Sequence, residues 1–308
     1  MYTIVTDSSC DLPAELLKAW NVKCANLNFT FDGSEEVFDN DKMPIDEFYS
    51  RMRAGGVSRT SAVNTDTFFK IFEPELAEGR DVLYIGFTSG LSTTYNSGAI
   101  AAMALAEKYP ERTIIPVDTT CASGGEGLMV HYAVQQRDNG ASIEENAAFI
   151  RGRGPSVCHY VAVDDLMYLK RGGRLSASSA IVGNMLNIKP VILVDGDGHL
   201  QKAASIRGRK NCITAIAKKF IELAIDLQEP YVISHADCLE EARFLESRIV
   251  AMGGAPAAYL TDMGPVIGSH AGPGTLAVFF EGRERGGVSA AAKVCEKPVS
   301  ADRRTASN

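Results

Sequence analysis

Short apolar runs alternate along this chain with longer segments in which apolar residues recur every three to four positions. The runs predict strands at residues 2–6, 81–87, 113–117, 191–194, 200–206, 231–234, 257–260 and 276–280. The longer segments predict helices: one starting near Asp11 and Pro13, others at 45–53 and 65–76, an Ala-rich one ending near Lys108, then 123–136, 142–150, 209–225 and 240–252. Alternation of this kind covers a largely parallel sheet with helices, which makes the fold class α/β. Three early strands run into hydroxyl-rich loops: Asp7-Ser8-Ser9, then Thr88-Ser89-Gly90-Leu91-Ser92-Thr93-Thr94-Tyr95, then Asp118-Thr119-Thr120. Parallel strands gather such loops at the carboxyl edge of the sheet, where open α/β folds bind their ligands. The connector Arg59-Thr60-Ser61-Ala62-Val63-Asn64 is hydroxyl-rich as well and needs a reason to be so.

The strand pattern changes after Arg151-Gly152-Arg153-Gly154-Pro155. A boundary there divides the chain into an N-terminal domain at 1–153, a mostly parallel sheet flanked by helices, and a C-terminal mixed α/β domain at 154–285. In the second domain, the runs at 191–194 and 200–206 flank Asp195-Gly196-Asp197-Gly198-His199 and predict an antiparallel hairpin. Residues 286–308 lack periodicity and are expected to be a disordered tail.

Composition narrows the function. With 308 residues and 45% hydrophobic content the chain is long enough for a sizeable core. Acidic residues outnumber basic ones 38 to 31, a net charge of −7 that opposes nucleic-acid binding. No apolar run approaches the ~20 residues that cross a bilayer. The opening Met1-Tyr2-Thr3-Ile4-Val5 reads as a strand without a charged leader, so a soluble cytoplasmic protein with no stable membrane insertion is expected. Seven cysteines without a C-x-x-C pair oppose a zinc knuckle and a disulfide scaffold, and Cys10, near the first loop, is expected to be a packed thiol.

The chemistry-bearing segments are few. Neither a P-loop nor a G-x-G-x-x-G after the first strand is present, so ATP binding by this chain has no support. Asp195-Gly196-Asp197-Gly198 lacks the further oxygen ligands of a calcium loop and reads as a solvated turn. The five histidines have no paired ligand spacing, so no metal is expected. Around His270, the glycine-rich stretch 264–275 is either a tight turn before a strand or a clasp in which backbone N–H groups and the imidazole hold a carboxylate or phosphate. Ser92 and Thr93 either cap a helix or offer hydroxyls to an anion at its terminus. Lys170 and Arg171 suit a helix C-terminus, whereas Arg174 and Arg207 lie beyond structured elements and are expected to face outward toward phosphate or an acidic partner.

Taken together, Thr6-Asp7-Ser8-Ser9, Thr60-Ser61, Ser89-Gly90-Leu91-Ser92-Thr93-Thr94-Tyr95-Asn96-Ser97, Tyr168-Leu169-Lys170-Arg171-Gly172-Gly173-Arg174 and the 264–275 stretch closely resemble the DegV family of bacterial fatty-acid-binding proteins over residues 1–284. Two departures stand out: Ala62-Val63 replaces the family's usual Gln-Pro, and Thr93 its usual Gly. The resemblance implies a two-domain α/β fold holding one fatty acid, such as palmitate, stearate or oleate, with no other cofactor. It implies a protein that is not itself an enzyme and presents the carboxylate to a separate ATP-binding fatty acid kinase, which makes the acyl-phosphate for phospholipid synthesis. Thr60 and Ser92 would then hydrogen-bond the carboxylate, with Ser61 and Thr93 adjacent and His270 completing the cradle. Arg174 and Arg207 would dock the kinase.

Burying an acyl tail is favourable by about 0.8 kcal/mol per CH₂, whereas its carboxylate needs donors. Candidate tail-lining residues are the small side chains of 96–103 and Leu128 and Met129, against the alternative that each simply packs helix to sheet, which is the more usual role of such a residue. A bound carboxylate would favour protonated His270. Two rival readings are a serine hydrolase or acyltransferase built from Ser92, His270 and Asp7, and a binding module for another small anion such as a sugar phosphate.

Overall fold

The computed structural model describes residues 2–175, 187–283 and 285. The tail expected from 286 onward lies outside the described residues. Near-continuous apolar sequence forms β1 (Tyr2–Asp7), which ends in one turn of 3₁₀ helix at Ser8–Cys10. After it come α1 (Ala14–Ala19), β2 (Val22–Ala25), β3 (Asn28–Phe31), β4 (Phe38–Asp39), α2 (Ile45–Arg53) and β5 (Ser58–Ser61). The first half continues through α3 (Thr65–Ala77), β6 (Asp81–Gly86), α4 (Thr94–Lys108), β7 (Ile114–Asp118), α5 (Gly124–Asp138) and α6 (Ile143–Arg153). β1, β2, β6 and β7 form a parallel sheet in the order β2-β1-β6-β7. The order reverses at β1, so the crevice between the carboxyl ends of β1 and β6 is the switch point of the sheet.

The second half contains β8 (Val157–Ala162), α7 (Met167–Arg171), β9 (Ile188–Val194), β10 (Leu200–Arg207), α8 (Arg209–Leu223) and β11 (Val232–His235). It ends with α9 (Leu239–Ala251), β12 (Tyr259–Asp262), α10 (Pro265–Ala271) and β13 (Leu276–Glu281). Its sheet runs β10-β9-β8-β13-β11-β12 and is antiparallel except for the β11–β12 pair. The fold is therefore the expected α/β pairing of a parallel sheet with a mixed one.

Side chains alternate across a strand, so the two faces of the second sheet have different fates. Tyr160, Val191, Leu193, Val278 and Phe280 point to the face covered by α8 and α9. Val232, Ala277 and Phe279 point the other way and join a core that includes Ile4, Leu83 and Leu128 of the first half. The helix between the sheets is α5, buried from Gly124 to Val130. Its opening glycines let it come that close: a Cβ on Gly124 would lie 2.6 Å from Val232, and one on Gly125 would lie 2.4 Å from the His159 ring.

Two features differ from the sequence reading. Thr60 and Ser61 belong to β5, an edge strand of a small antiparallel sheet ordered β4-β3-β5, in which Phe29 faces Thr60 and Asn28 faces Ser61. The 264–275 stretch opens with a helix, α10, rather than a turn of free backbone. Pro265 occupies the first helical turn, and His270 sits in the last.

Candidate functional site

A cavity opens where the uncovered half of the second sheet meets the loops of the first. Val161 and Val163 of the β8 segment, Ile192 and Val194 of β9, and Phe279 of β13 form one wall. Leu27, Phe87, Leu91 and Ala122 come from the first half, and Leu169, Met263, Val266 and Ile267 complete an apolar lining around a cavity of about 100 Å³.

The polar groups gather toward α7 and α10. His270 Nε2 is hydrogen-bonded to the Thr60 hydroxyl at 2.8 Å, while its buried Nδ1 has no partner among the described residues. Burial, and then the nearby Arg174 charge, push the His270 pKa down to about 4, so the imidazole of the ligand-free protein is neutral at pH 7. Gly172 packs on this ring so closely that a Cβ there would lie 2.2 Å from Nδ1. Arg174 is half-buried; its Nε donates to the Leu91 carbonyl at 3.1 Å and a terminal nitrogen donates to Gly172 at 2.5 Å. Among the described residues it has no carboxylate partner, and burial lowers its pKa. A guanidinium held by two backbone carbonyls at the cavity is equipped to receive an anion, whereas His270 Nδ1 is turned against Gly172.

Ser92 also lines the cavity, with its hydroxyl 3.0 Å from that of Thr94 and accepting from the Thr94 N–H at 3.2 Å. Of the expected cradle, Thr60, Ser92 and His270 thus reach the cavity, and Ser61 and Thr93 do not. Both are exposed: Ser61 because alternate residues of β5 face opposite ways, Thr93 because it sits at the helix start with no side-chain cap bond. Thr93 has φ −80° and ψ 0°, a conformation open to any residue, so the family's glycine is not needed there. Val63, at the other departure, is buried and donates its N–H to the Thr94 hydroxyl at 3.3 Å.

Arg174 corrects one expectation: it turns inward to the cavity rather than outward. Arg207 is exposed at the end of β10. The candidate tail lining at 96–103, Leu128 and Met129 takes the packing role instead. Leu128 and Met129 are fully buried in the shared core, and in the 96–103 segment Ala101 and Ala102 pack on Phe68 and Tyr84 while Ile100 and Met103 face solvent. The backbone clasp around His270 is replaced by helix, whose internal bonds use the N–H groups of Gly268 and Gly272.

The hydrolase constellation is not assembled. Asp7 is fully buried and accepts from Ser9 N, Tyr84 OH and Phe87 N, while among the described residues no acid reaches His270 Nδ1 and Ser92 bonds Thr94. A base without an orienting acid and a hydroxyl bonded elsewhere do not make the relay. Cys10 is buried, and burial raises its pKa well above the usual thiol range, so it is a packed thiol. Among the described residues no group of three His, Cys, Asp or Glu side chains could hold a metal, and no helix is long and apolar enough to cross a membrane.

Sequence reasoning missed His159. Its Nδ1 donates to the Val157 carbonyl at 2.9 Å and its Nε2 accepts from Ala122 N at 3.1 Å, which fixes a neutral tautomer. Burial holds its pKa well below the usual range, and the ring serves as cavity wall. Nothing in a lone histidine within a strand signals that role.

The profile of the DegV family of uncharacterised proteins matches residues 1–283. The chain belongs to the DegV family. A DegV domain-containing protein of Clostridium perfringens is 38% identical over 283 residues, covering 91% of this chain and 97% of its own. Among solved structures, a DegV family protein from Thermus thermophilus described by its fatty acid binding superposes with a TM-score of 0.80 at 28% identity, covering 90% of this chain and 98% of its own. A stearic acid-binding protein from Eubacterium ventriosum superposes at 0.79 and 26% identity, covering 91% and 99%. In this DegV protein the motifs that suggested the family line two sides of one cavity: Thr60 and Ser92 come from the first half, Arg174 and His270 from the second.

Proposed function

We propose that this chain binds one long-chain fatty acid, such as palmitate, stearate or oleate, and presents its carboxylate to a separate ATP-dependent kinase. The observation that carries the reading is an apolar cavity whose polar end gathers the Thr60 and Ser92 hydroxyls, the His270 imidazole and the Arg174 guanidinium. Each CH₂ of a tail placed along Val161, Ile192 and Val194 contributes about 0.8 kcal/mol, and the carboxylate left at the polar end is neutralised by Arg174 and hydrogen-bonded by the hydroxyls and imidazole. A sugar phosphate would leave that apolar wall unused. Residues 1–153 and 154–285 act in this reading as the two walls of the site.

Phosphorylation is the partner's work: the kinase supplies ATP, a carboxylate oxygen attacks the γ-phosphorus, and ADP leaves with the broken bond. Exposed Arg207 is the docking cation. Arg174, half-buried against the head, contributes both to retention of the acid and to the surface the kinase meets. These steps place the protein in the cytoplasm, at the entry to phospholipid synthesis, without catalysis of its own.

The test is mass spectrometry of the organic extract of gently purified protein, followed by ATP-dependent acyl-phosphate formation with a bacterial fatty acid kinase. One fatty acid per chain and kinase-dependent turnover are expected. An extract without fatty acid, together with no binding of added palmitate, would remove the reading.

A further inference from the structure

The turn Asp195-Gly196-Asp197-Gly198-His199 is more than a solvated connection between β9 and β10. The Asp195 carboxylate shapes it, accepting from Asp197 N and His199 N at 3.0 and 2.9 Å. Its backbone then docks on the first half of the molecule, where the Thr88 hydroxyl donates to the Gly198 carbonyl at 3.2 Å. Glycine is required on both sides: a Cβ on Gly90 would lie 2.9 Å from the carbonyls of Asp197 and Gly198, and one on Gly198 would lie 1.9 Å from the Thr88 hydroxyl oxygen. Val194 and Leu200, immediately flanking this turn, line the cavity.

Arg285 lies just past the family match, which ends at 283, and fastens the same junction. One terminal nitrogen donates to the carbonyls of both Thr120 and Asp195, at 2.8 and 2.9 Å. The other donates to Gly154 O at 2.7 Å and contacts Cys121 Sγ at 3.2 Å, and Nε donates to Val157 O at 2.9 Å. It therefore ties the hairpin to the loop that leads into cavity-lining Ala122. Parting these segments strips the acceptors from a half-buried guanidinium.

We propose that Arg285 is a positioning residue that sets the length of acyl tail the cavity admits, by holding the Asp195–His199 turn against the Thr88–Gly90 and Thr120–Cys121 loops. The inference rests on the fatty-acid reading above. A tail too long for the closed cavity has to lift the hairpin and break the bonds from Arg285, so the wild-type affinity stops rising with chain length at that limit.

The experiment measures dissociation constants for saturated fatty acids of increasing length with wild type, Arg285→Ala, Arg285→Lys and Arg153→Ala, using the full chain. Arg153 is the control: at the same junction it pairs with Glu281 at 3.0 Å and stacks on Tyr132 and Phe149, but it does not line the cavity. Arg285→Ala is expected to move the limit outward, raising affinity for acids two carbons beyond it by roughly tenfold. Shorter acids should change less than about threefold. Arg285→Lys, which keeps the charge and fewer bonds, should fall between and serves if the alanine variant does not fold. An unchanged length profile, a uniform loss at all lengths, or the same shift in Arg153→Ala overturns the proposal while leaving fatty-acid binding intact. Failure of wild type to bind any of the acids removes the functional reading and this inference with it.

Discussion

Two buried polar clusters lie within the first half's reach, one at the end of β1 and one at the head of the cavity, and they differ in how fully their atoms are used. At β1, Asp7 accepts from three donors, and Asp11 accepts from Ser123 OH at 2.5 Å and Gly264 N at 2.8 Å. At the cavity head, among the described residues, His270 Nδ1 has no partner and Arg174 bonds only backbone carbonyls. The filled acceptors of Asp7 and Asp11 mark those two carboxylates as architecture, although Oε2 of neighbouring buried Glu126 is without a partner among the described residues; at the second cluster it is the apolar cavity beside the polar groups that marks a place for a ligand.

The sharpest way to break that comparison is Asp7→Ala. It leaves the N–H groups of Ser9 and Phe87 and the Tyr84 hydroxyl without an acceptor, all buried. A loss of about 3–5 kcal/mol in urea unfolding is expected, with the remaining folded protein still carrying one fatty acid. A loss below about 1 kcal/mol would put Asp7 among the groups with capacity to spare.

The cavity head should answer to pH instead. His270 titrates at about 4 in the ligand-free fold, against 6.5 when unperturbed, so between those values the unfolded chain binds more protons. Stability from this group is therefore full above about pH 6.5 and is lost as pH falls toward 4, by about 3 kcal/mol at most. A bound carboxylate raises the folded-state pKa and shrinks that loss. Unfolding curves between pH 4 and 7 should be flatter for palmitate-loaded than for delipidated protein, and His270→Asn should remove the difference. Parallel curves for loaded and delipidated wild type would separate His270 from the head group.

Arg174→Ala and His270→Ala are each expected to weaken palmitate binding roughly 10- to 100-fold, the worth of a hydrogen bond to a charged group, with little effect on unfolding. Arg207→Ala should leave palmitate affinity unchanged and lower only kinase-dependent acyl-phosphate formation. Equal loss of affinity in Arg174→Ala and Arg207→Ala would erase the distinction between an inward and an outward cation.

The same contrast explains what the sequence disclosed. Long elements with clear periodicity, such as 45–53 and 65–77, were legible because burial of one face writes itself into residue spacing. The sheet β4-β3-β5 was not, because β4 has two residues and β5 is mostly polar, so neither carries an alternating pattern. Thr60, Ser92 and His270 were legible as motif residues, but the apolar wall of the cavity they reach was not. Val161 and Ile192 look like any strand core, and only the register of β8 with β9 sets them side by side on the wall of the cavity. Arg174 was misread because glycines ahead of a cation suggest an exposed loop, whereas here they let the chain fold back against His270.

Neighbouring hydroxyls give the finest division. Thr60 and Ser61 are adjacent on an extended strand, and Ser92 and Thr93 are adjacent at a helix start, yet in each pair one hydroxyl meets the cavity and the other meets water. Removing a single neutral hydrogen-bonding group should cost about 0.5–1.5 kcal/mol of binding, so Thr60→Ala and Ser92→Ala are each expected to weaken palmitate affinity roughly 2- to 12-fold. Ser61→Ala and Thr93→Ala should change it by less than about twofold, since solvent already serves the hydroxyls they remove. Titration of the four variants against one batch of delipidated wild type resolves the pattern. A Ser61→Ala loss as large as that of Thr60→Ala would mean that the edge strand β5 rotates on binding, and the face it now presents would no longer define the head group's surroundings.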